Sequence, residues 1–573
     1  MDSPRLKNEG WLYGLAFLIA LGLRLIQLGA SPLTDSEATF AIQALRIAQG
    51  AAPLLGPQPA YIHFTSILFA ITESTNFMAR LIPALVGSAL VFVPSFFREK
   101  IKPHPALILA FLFAFDPGLV ALSRMANGTI LAGTFLLFAC GMWIHRRTIP
   151  AGIFAGLALL SGPSLWAGLL TLGLTWVFIK GMESKPAEDQ LPIPNYPDEY
   201  RPFLLALIST LLLIGTLFFL SPNGLSAGLA SIPAYLSGWF TPTVSTPDRT
   251  FLTFLAYEPL GIMLAGFAIL RGLRTKSKHS LPLMIWCGVS LLLAIFYRQA
   301  GELVWAILPL LTLGALELSR GFDISRDERV EIGIVVTAIL ILLAYTWFNI
   351  ANIALNPLGQ LSTTVPILGE IQNPRFIVLF GSLAIVVVCI TLVAIGWSAR
   401  TARLGTIWSF TVFFGLYSLA AAWGASGIRN PNGVELWNSD SKPLQADLLT
   451  ASVEDISEFS LGHTQSQPVT VVGIDSPALE WLLRNHQVKG VSTLDPQVAP
   501  PMVITPVMND LGLPSAYRGQ DFTWRQTPQW EIIQSADWIK WFVFRDLPRE
   551  NETVILWARD DLFPDARENN AAP

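Results

Sequence analysis

The chain has 573 residues, of which 52% are hydrophobic and only 14% are charged. Soluble globular proteins carry about 25% charged residues, so this composition excludes an ordinary soluble protein. The formal net charge of −4 argues against a nucleic-acid partner. All three cysteines fall inside apolar runs, so the sequence predicts no disulfide framework.

Long apolar runs recur through the first three quarters of the chain. A helix of about 20 apolar residues crosses the roughly 30 Å of hydrocarbon in a bilayer, and we interpret the runs as transmembrane helices. We predict thirteen crossings. Their approximate positions are 10–29, 78–97, 105–122, 127–144, 150–163, 164–180, 202–220, 251–270, 281–297, 302–318, 331–350, 375–397 and 404–424.

Lysine and arginine concentrate in alternate loops between these runs, as the positive-inside rule requires of cytoplasmic loops. This alternation predicts a multi-pass protein of the plasma membrane with a cytoplasmic N-terminus and an extracytoplasmic C-terminal domain. The basic loops contain Arg98, Lys100, Lys102, Arg146, Arg147, Lys180, Lys185, Arg271, Arg274, Lys276, Lys278, Arg320, Arg326, Arg329, Arg400 and Arg403.

The sequence predicts two domains. Residues 1–424 form the transmembrane domain, with outer loops at 30–77 and 221–250. Within the first outer loop, Asp35–Gln49 and Pro59–Ile71 are predicted as helices that lie on the membrane surface, because both are too short to span.

Residues 425–573 are predicted to form a small extracytoplasmic α/β domain. Strands alternate with helices in this region, which is typical of that class. The predicted strands are 469–474, 501–504 and 553–558, and the predicted helices are 477–486 and 536–545. Seven tryptophans here have two interpretations, as sugar-stacking surfaces or as core side chains.

The first outer loop holds two carboxylates two positions apart, Asp35 and Glu37. A carboxylate at a membrane surface can act as a general base on an acceptor hydroxyl, or bind a metal that faces a phosphate. The alternative is structural: Asp35 as a helix N-cap and Glu37 as a first-turn acid favoured by the helix dipole.

Five further polar residues lie at or near the outer ends of apolar runs. Asp116 is either functional or part of an Asp-Pro helix break. Arg80 and Arg124 either clamp a phosphate or pair with Asp116, Asp35 or Glu37. Arg298 and Glu302 flank a short outer turn, where Arg298 is a candidate for contact with a donor phosphate.

Several short segments follow one another in an order known from a family of membrane enzymes. They are Arg24, Asp35-Ser36-Glu37-Ala38, Ala41, Ala44, Pro59-Ala60-Tyr61, Ala79-Arg80-Leu81-Ile82-Pro83, Asp116-Pro117, Ser123-Arg124, Gly301-Glu302, Trp305, Pro309-Leu310, Trp481-Leu482-Leu483-Arg484 and Leu556-Trp557-Ala558-Arg559-Asp560-Asp561-Leu562. In this order the chain resembles the GT-C membrane glycosyltransferases of the protein O-mannosyltransferase and aminoarabinose-transferase-like group, and within them the flippase-activity-associated branch.

The resemblance implies a GT-C-like helical bundle that transfers a sugar from a polyprenyl-phosphate donor at the outer face. It implies an inverting mechanism with the first-loop acid, Asp35 or Glu37, as the general base. Arg80, Asp116, Arg124, Arg298 and Glu302 are the expected substrate-binding residues. The expected partners are the donor, membrane lipids and a protein, glycan or lipid acceptor.

The chain departs from the family pattern in three places. Ser36 separates two acids that the family usually has adjacent, and Asn127-Gly128 stands where the family often carries another acid. The segment from Glu302 to Trp305 is one residue shorter and lacks a lysine. A non-catalytic relative that binds lipid-linked sugars, or assists their translocation, is therefore the alternative function.

The sequence predicts no nucleotide cofactor, since it contains no glycine-rich phosphate-binding loop followed by Lys-Ser/Thr. It leaves the metal requirement open, including a divalent cation at the first-loop acids.

Overall fold

A computed structural model describes residues 9–182, 197–241, 245–275, 280–322, 328–355, 363–365, 369–371, 375–428, 433–437, 440–533 and 535–563. Parts of the predicted loop 221–250 and of the predicted domain 425–573 lie outside these ranges.

The first half of the chain is helical. Its helices are α1 (Glu9–Leu25), α2 (Asp35–Ala48), α3 (Pro59–Ile71), α4 (Asn76–Ala89), α5 (Val93–Phe96), α6 (Arg98–Ile101), α7 (Pro103–Phe115), α8 (Pro117–Ser123), α9 (Thr129–Ile144), α10 (Thr148–Leu159), α11 (Ser164–Met182), α12 (Pro197–Gly215), α13 (Asn223–Gly238), α14 (Pro247–Tyr257) and α15 (Pro259–Thr275).

Helices continue to residue 425, and a mixed α/β region follows. The helices are α16 (Leu281–Tyr297), α17 (Val304–Gly321), α18 (Glu328–Leu355), α19 (Arg375–Gly396), α20 (Ala399–Ala425), α21 (Ala446–Leu461), α22 (Pro477–Leu482) and α23 (Ser535–Phe544). The strands are β1 (Thr363–Val365), β2 (Gly369–Ile371), β3 (Lys442–Pro443), β4 (Val469–Val472), β5 (Val488–Val491), β6 (Met502–Pro506), β7 (Tyr517–Pro528) and β8 (Arg549–Arg559).

Six helical segments of the described chain are long and apolar enough to cross a membrane, and two bent helix pairs raise the number to eight. The predicted count of thirteen crossings is not confirmed. Several helices at predicted crossings are short, such as α9 with 16 residues and α10 with 12, whereas a span requires roughly 20. The six are Asn76–Phe96, Ser164–Met182, Ala300–Gly321, Glu328–Leu355, Arg375–Gly396 and Ala399–Ala425.

Both bent pairs break at an acidic residue that precedes a proline. The chain turns by 56° between α7 and α8 at Asp116, and by 84° between α14 and α15 at Glu258. Proline has no N–H for the preceding turn, so an α-helix ends before it. The predicted crossings at 105–122 and 251–270 are thus each broken, and the structure has the Asp-Pro helix break that was one interpretation of Asp116.

Helix α17 lies at the centre of the bundle. Within the segment Ala300–Gly321, 83% of an apolar stretch long enough to cross a membrane is buried. Helix α11 approaches it closely at Gly168, where an added Cβ would lie 2.3 Å from the ring of Trp305. The glycine therefore permits the contact between the two helices. Trp305 is 1% exposed and donates through Nε1 to the backbone oxygen of Ser164 at 3.0 Å.

The C-terminal region contains a six-stranded mixed sheet in the order β3-β7-β8-β6-β4-β5. Strand β4 pairs in parallel with β5 and β6, and the other pairs are antiparallel. The observed β4, α22, β6, α23 and β8 lie at the five elements predicted from the sequence. Trp437, Trp481, Trp524 and Trp541 are each at most 4% exposed, which fits the core interpretation of these four side chains.

The sheet region packs against the start of the helical region through α22. Trp481 donates from Nε1 to Oδ1 of Asn76 at 2.8 Å, and Arg484 donates from Nε to the backbone oxygen of Ser74 at 2.9 Å. The start of α4 and the segment before it are therefore held by side chains from 405 and 410 residues later in the chain. This contact positions the first loop against the sheet region.

Candidate functional site

Glu37 and Arg80 form a buried ion pair between α2 and α4. Arg80 donates from Nε to Oε1 of Glu37 at 2.8 Å and from Nη2 to Oε2 at 2.7 Å. The Glu37 carboxylate also accepts the N–H of Thr34 at 3.1 Å and of Ala126 at 2.9 Å. Burial alone raises the pKa of Glu37, but Arg80 and these N–H donors outweigh it and hold that pKa below its usual range.

The Arg80 guanidinium also fixes the backbone of the first loop. Its Nη1 donates to the oxygens of Leu28 at 3.2 Å and Ser31 at 2.8 Å, and its Nη2 donates to Pro32 at 3.1 Å. Together with the two bonds to Glu37, these contacts use all five N–H donors of an arginine. Of its two predicted roles, the structure therefore fits pairing rather than a phosphate clamp.

Asp35 contacts the sheet region rather than the bundle interior. Its carboxylate accepts the hydroxyl of Ser476 at 2.7 Å and the N–H of Ala478 at 3.0 Å, and forms an ion pair with Arg525 of β7. The Asp35 side chain is 32% exposed, against 5% for Glu37. The two first-loop acids thus lie in different environments, although only one residue separates them.

The guanidinium of Arg124, at the end of α8, donates hydrogen bonds to backbone oxygens. Its Nη1 donates to Leu23, Arg24 and Ile26, and its Nη2 donates to Gln27 and Ser426. These are carbonyls at the C-terminal end of α1 and just after α20, where a cation is favoured by the helix dipole. Among the described residues no carboxylate pairs with Arg124, so its positive charge is not neutralised.

Asp116 lies deep in the bundle at 3% exposure and caps α8 by accepting the N–H of Leu119 at 2.8 Å. Its carboxyl group adjoins that of Glu258, which is 2% exposed at the other helix break. No sequence signal indicated this pairing, since the two acids are far apart in the chain. The structure does not bring Asp116 together with Arg80 or Arg124.

Arg298 and Glu302 lie in a third place. Arg298 ends α16 in the left-handed conformation, with φ of 62°, and donates to the backbone oxygen of Trp239 at 3.3 Å. Glu302 is 6% exposed and accepts the hydroxyl of Ser164 at 2.9 Å. Neither residue lines the cavity described next.

A cavity of about 280 Å³ separates the first loop from the sheet region. One wall is formed by Glu37, Arg80, Arg124 and the first-loop residues Gln27, Leu28, Ala30, Ser31 and Pro32. The facing wall contains Glu435, Trp437 and Lys442, of which the sequence indicated only Trp437, as one of the seven tryptophans. Asp35 is not among the lining residues.

Lys442 and Arg549 are cations in this cavity that the sequence did not indicate. Lys442 starts β3, and its side-chain amine makes no hydrogen bond or ion pair with any residue that the structure describes. Burial lowers the pKa of the Lys442 amine below its usual value, and the Arg80 and Arg124 charges lower it further, against an opposing effect of Glu435 and Glu37. An anion that entered the cavity would therefore meet two cations without carboxylate partners, Lys442 and Arg124.

Within the described ranges no group of three or more His, Cys, Asp and Glu side chains is arranged to hold a metal ion. A divalent cation at the first-loop acids stays a prediction.

The chain is similar to solved structures, whereas no family model and no curated protein sequence matches it. Similar solved structures include ArnT from Cupriavidus metallidurans bound to undecaprenyl phosphate, with a TM-score of 0.51, 14% identity, and 97% of this chain and 99% of that chain covered.

Two further solved structures match less well. Apo ArnT from the same organism has a TM-score of 0.49 at 12% identity, covering 87% of this chain and 93% of that one. The Archaeoglobus fulgidus oligosaccharyltransferase has a TM-score of 0.41 at 12% identity, covering 86% and 68%. At these identities the likeness concerns the fold, and it rests on the undecaprenyl-phosphate-bound structure. The chain therefore shares the fold of this ArnT structure over nearly its whole length, as the sequence resemblance implied.

Proposed function

We propose that this protein transfers a sugar from a polyprenyl-phosphate-linked donor to an acceptor at the outer face of the membrane. The observation that carries the proposal is the cavity with Arg124 and Lys442, two cations without carboxylate partners among the described residues. The similar ArnT structure was solved with undecaprenyl phosphate, a ligand of this chemical class.

In the proposed reaction, the phosphate of the donor lies between Lys442 and Arg124. An acceptor hydroxyl attacks the anomeric carbon of the sugar while the bond from that carbon to the phosphate oxygen breaks. The electron pair of this bond remains on the departing lipid phosphate, and the two cations stabilise the charge that develops there. The hydroxyl proton passes to a carboxylate, for which the sequence resemblance predicts Asp35 or Glu37.

Glu37 lines the cavity but is held by Arg80 and two backbone N–H groups, whereas Asp35 lies outside the cavity lining and is more exposed, so we assign the proton to Asp35. For Asp35 to face an acceptor, its contact with Arg525 has to open. We expect Asp35→Asn to abolish transfer from a radiolabelled undecaprenyl-phosphate sugar and to leave undecaprenyl phosphate binding unchanged. Transfer that survives in the Asp35→Asn/Glu37→Gln double variant would show that the base lies elsewhere.

The second candidate function is non-catalytic binding of lipid-linked sugars. The specific observation in its favour is that both first-loop carboxylates are occupied, Glu37 by Arg80 and Asp35 by Arg525. Under this function the wild-type protein, reconstituted in nanodiscs, binds undecaprenyl phosphate but transfers no sugar from a panel of undecaprenyl-phosphate-linked donors. The same panel therefore distinguishes the two functions.

The lowered pKa of Lys442 predicts a pH dependence of donor binding. The phosphate is bound by the protonated amine, so affinity is lost as the pH rises through the Lys442 pKa, and this pKa lies below that of an ordinary lysine. We expect the affinity for undecaprenyl phosphate to fall at a pH below the range in which an ordinary lysine loses its proton. Lys442→Arg keeps its charge over this range and should flatten the profile; an unchanged profile would mean that Lys442 does not bind the phosphate.

A further inference from the structure

A second cavity, of about 340 Å³, lies between α18, α20 and the C-terminal end of α23. Its walls are aromatic: the rings of Tyr417 and Phe542 stack at 5.6 Å between centroids, and Trp347 meets Tyr417 edge-on at 5.8 Å. Leu416 of α20 lines the cavity and is 64% exposed. Since α18 and α20 are candidate membrane spans, an aliphatic chain can enter from the bilayer at this flank.

Glu435 lines both the second cavity and the cavity with Lys442. The hydroxyl of Tyr257 donates to Oε2 of Glu435, and Nε of Arg545 lies 3.7 Å from the same oxygen. Arg545 also donates from Nη2 to the hydroxyl of Tyr417 at 3.4 Å. The polar end of the apolar cavity thus combines one carboxylate, one guanidinium and two phenols.

We propose that the second cavity binds the aliphatic chain of a lipid acceptor, whose free hydroxyl group reaches Glu435. The inference rests on the proposed glycosyl transfer and names the class of its acceptor. The charges of Glu435 and Arg545 balance each other, so this end suits an uncharged head group that bears a hydroxyl. A lipid phosphate is instead attracted to Lys442 and Arg124 in the first cavity. The junction at Glu435 places the acceptor hydroxyl next to the donor.

Photo-crosslinking in nanodiscs tests which lipid occupies the second cavity. One probe is a diacylglycerol with a diazirine in its acyl chain, and the other is a diazirine-bearing undecaprenyl phosphate. We expect the diacylglycerol to label Tyr417 and Phe542, and unlabelled diacylglycerol to compete about tenfold better than phosphatidic acid with the same chains, the difference that about 1.4 kcal/mol produces. Labelling of Phe542 by the undecaprenyl probe, or equal competition by phosphatidic acid, would overturn the proposal.

Two variants of neighbouring α20 residues provide the matched control. Ala420 lines the cavity, and Ala420→Trp fills it, so labelling of Phe542 by the diacylglycerol should be lost. Leu419 is 44% exposed and does not line the cavity, so Leu419→Trp should leave the labelling unchanged. Labelling of Phe542 that persists in Ala420→Trp would place the lipid outside the cavity and refute the inference.

Undecaprenyl phosphate binding, measured in the same samples, separates this inference from the proposed function. If undecaprenyl phosphate binds but diacylglycerol does not label Phe542, the acceptor site is wrong and the donor site stands. If diacylglycerol labels Phe542 but undecaprenyl phosphate does not bind, the proposed transfer fails and the acceptor role with it. Glu435→Gln preserves the shape of the junction, and it should reduce the preference for diacylglycerol over phosphatidic acid.

Discussion

Replacing Arg80 by methionine is expected to destabilise the protein by about 3–5 kcal/mol, the cost of leaving a buried charge without its partner. The variant would retain the carboxylate of Glu37, which is 4% exposed, and remove three hydrogen bonds from Arg80 to the first-loop backbone. The loss is measured as a lower unfolding midpoint of the purified protein in detergent, by intrinsic tryptophan fluorescence during heating.

The exposed ion pair between Arg46 and Glu480 provides the control. It joins α2 to α22 at 2.5 Å, and both side chains are 51% exposed. Because exposed pairs contribute about 0–1 kcal/mol, Arg46→Met should shift the midpoint far less than Arg80→Met. The double variant Arg80→Met/Glu37→Gln no longer contains the buried charge. Its loss of stability should therefore be smaller than the sum of the losses in the two single variants. Additive losses would show that the two residues do not act as a pair.

Replacing Lys442 by methionine is expected to weaken undecaprenyl phosphate binding by about 10- to 100-fold. A hydrogen bond to a charged group contributes about 1.5–3 kcal/mol, and Lys442 has no competing partner among the described residues. Binding is measured by titration of the lipid into the protein in nanodiscs. Because the contact is electrostatic, the wild-type affinity should fall with added salt, and that of Lys442→Met should fall less.

Lys540 is the matched lysine for this experiment. It lies in α23, is 45% exposed and pairs with Asp546 at 2.8 Å, away from the cavity. Lys540→Met should bind undecaprenyl phosphate as the wild type does, and Lys442→Arg should retain most of the affinity. Equal affinities of Lys442→Met and Lys540→Met would remove Lys442 from the donor site.

Local sequence signals predicted much of the fold. Thr34 and Asp35 marked the start of α2, and the N–H of Thr34 donates to Glu37 one turn later. The β-branched run at Val469 predicted β4, all of whose residues are buried. Strand β7 was missed, because much of its sequence is polar and its pairing with β8 comes from residues 21 (Pro528 with Arg549) to 42 (Tyr517 with Arg559) positions away. Such pairing depends on tertiary contacts rather than on local propensity.

The candidate site was only partly predictable for the same reason. Asp35, Glu37, Arg80 and Arg124 were singled out by charge in or beside apolar segments, but their partners could not be chosen from the sequence. Arg80 had three candidate acids, and the packing of α2 and α4 on α3 brings Glu37 to it. Lys442 belongs to no motif, and only the approach of β3 to the first loop brings it near Arg124.

The contacts of the first loop also set the order in which the protein matures during synthesis. Asp35 pairs with a residue 490 positions later, and Arg124 donates to the backbone oxygen of a residue 302 positions later. A nascent chain that has inserted α1 to α4 therefore lacks one wall of the cavity until Lys442 and Arg549 have been translated. The helices can enter the bilayer one after another, but the cavity is completed only after the sheet region has been made. A chain that stops at the end of α20 is accordingly expected to lack the proposed site for a lipid phosphate.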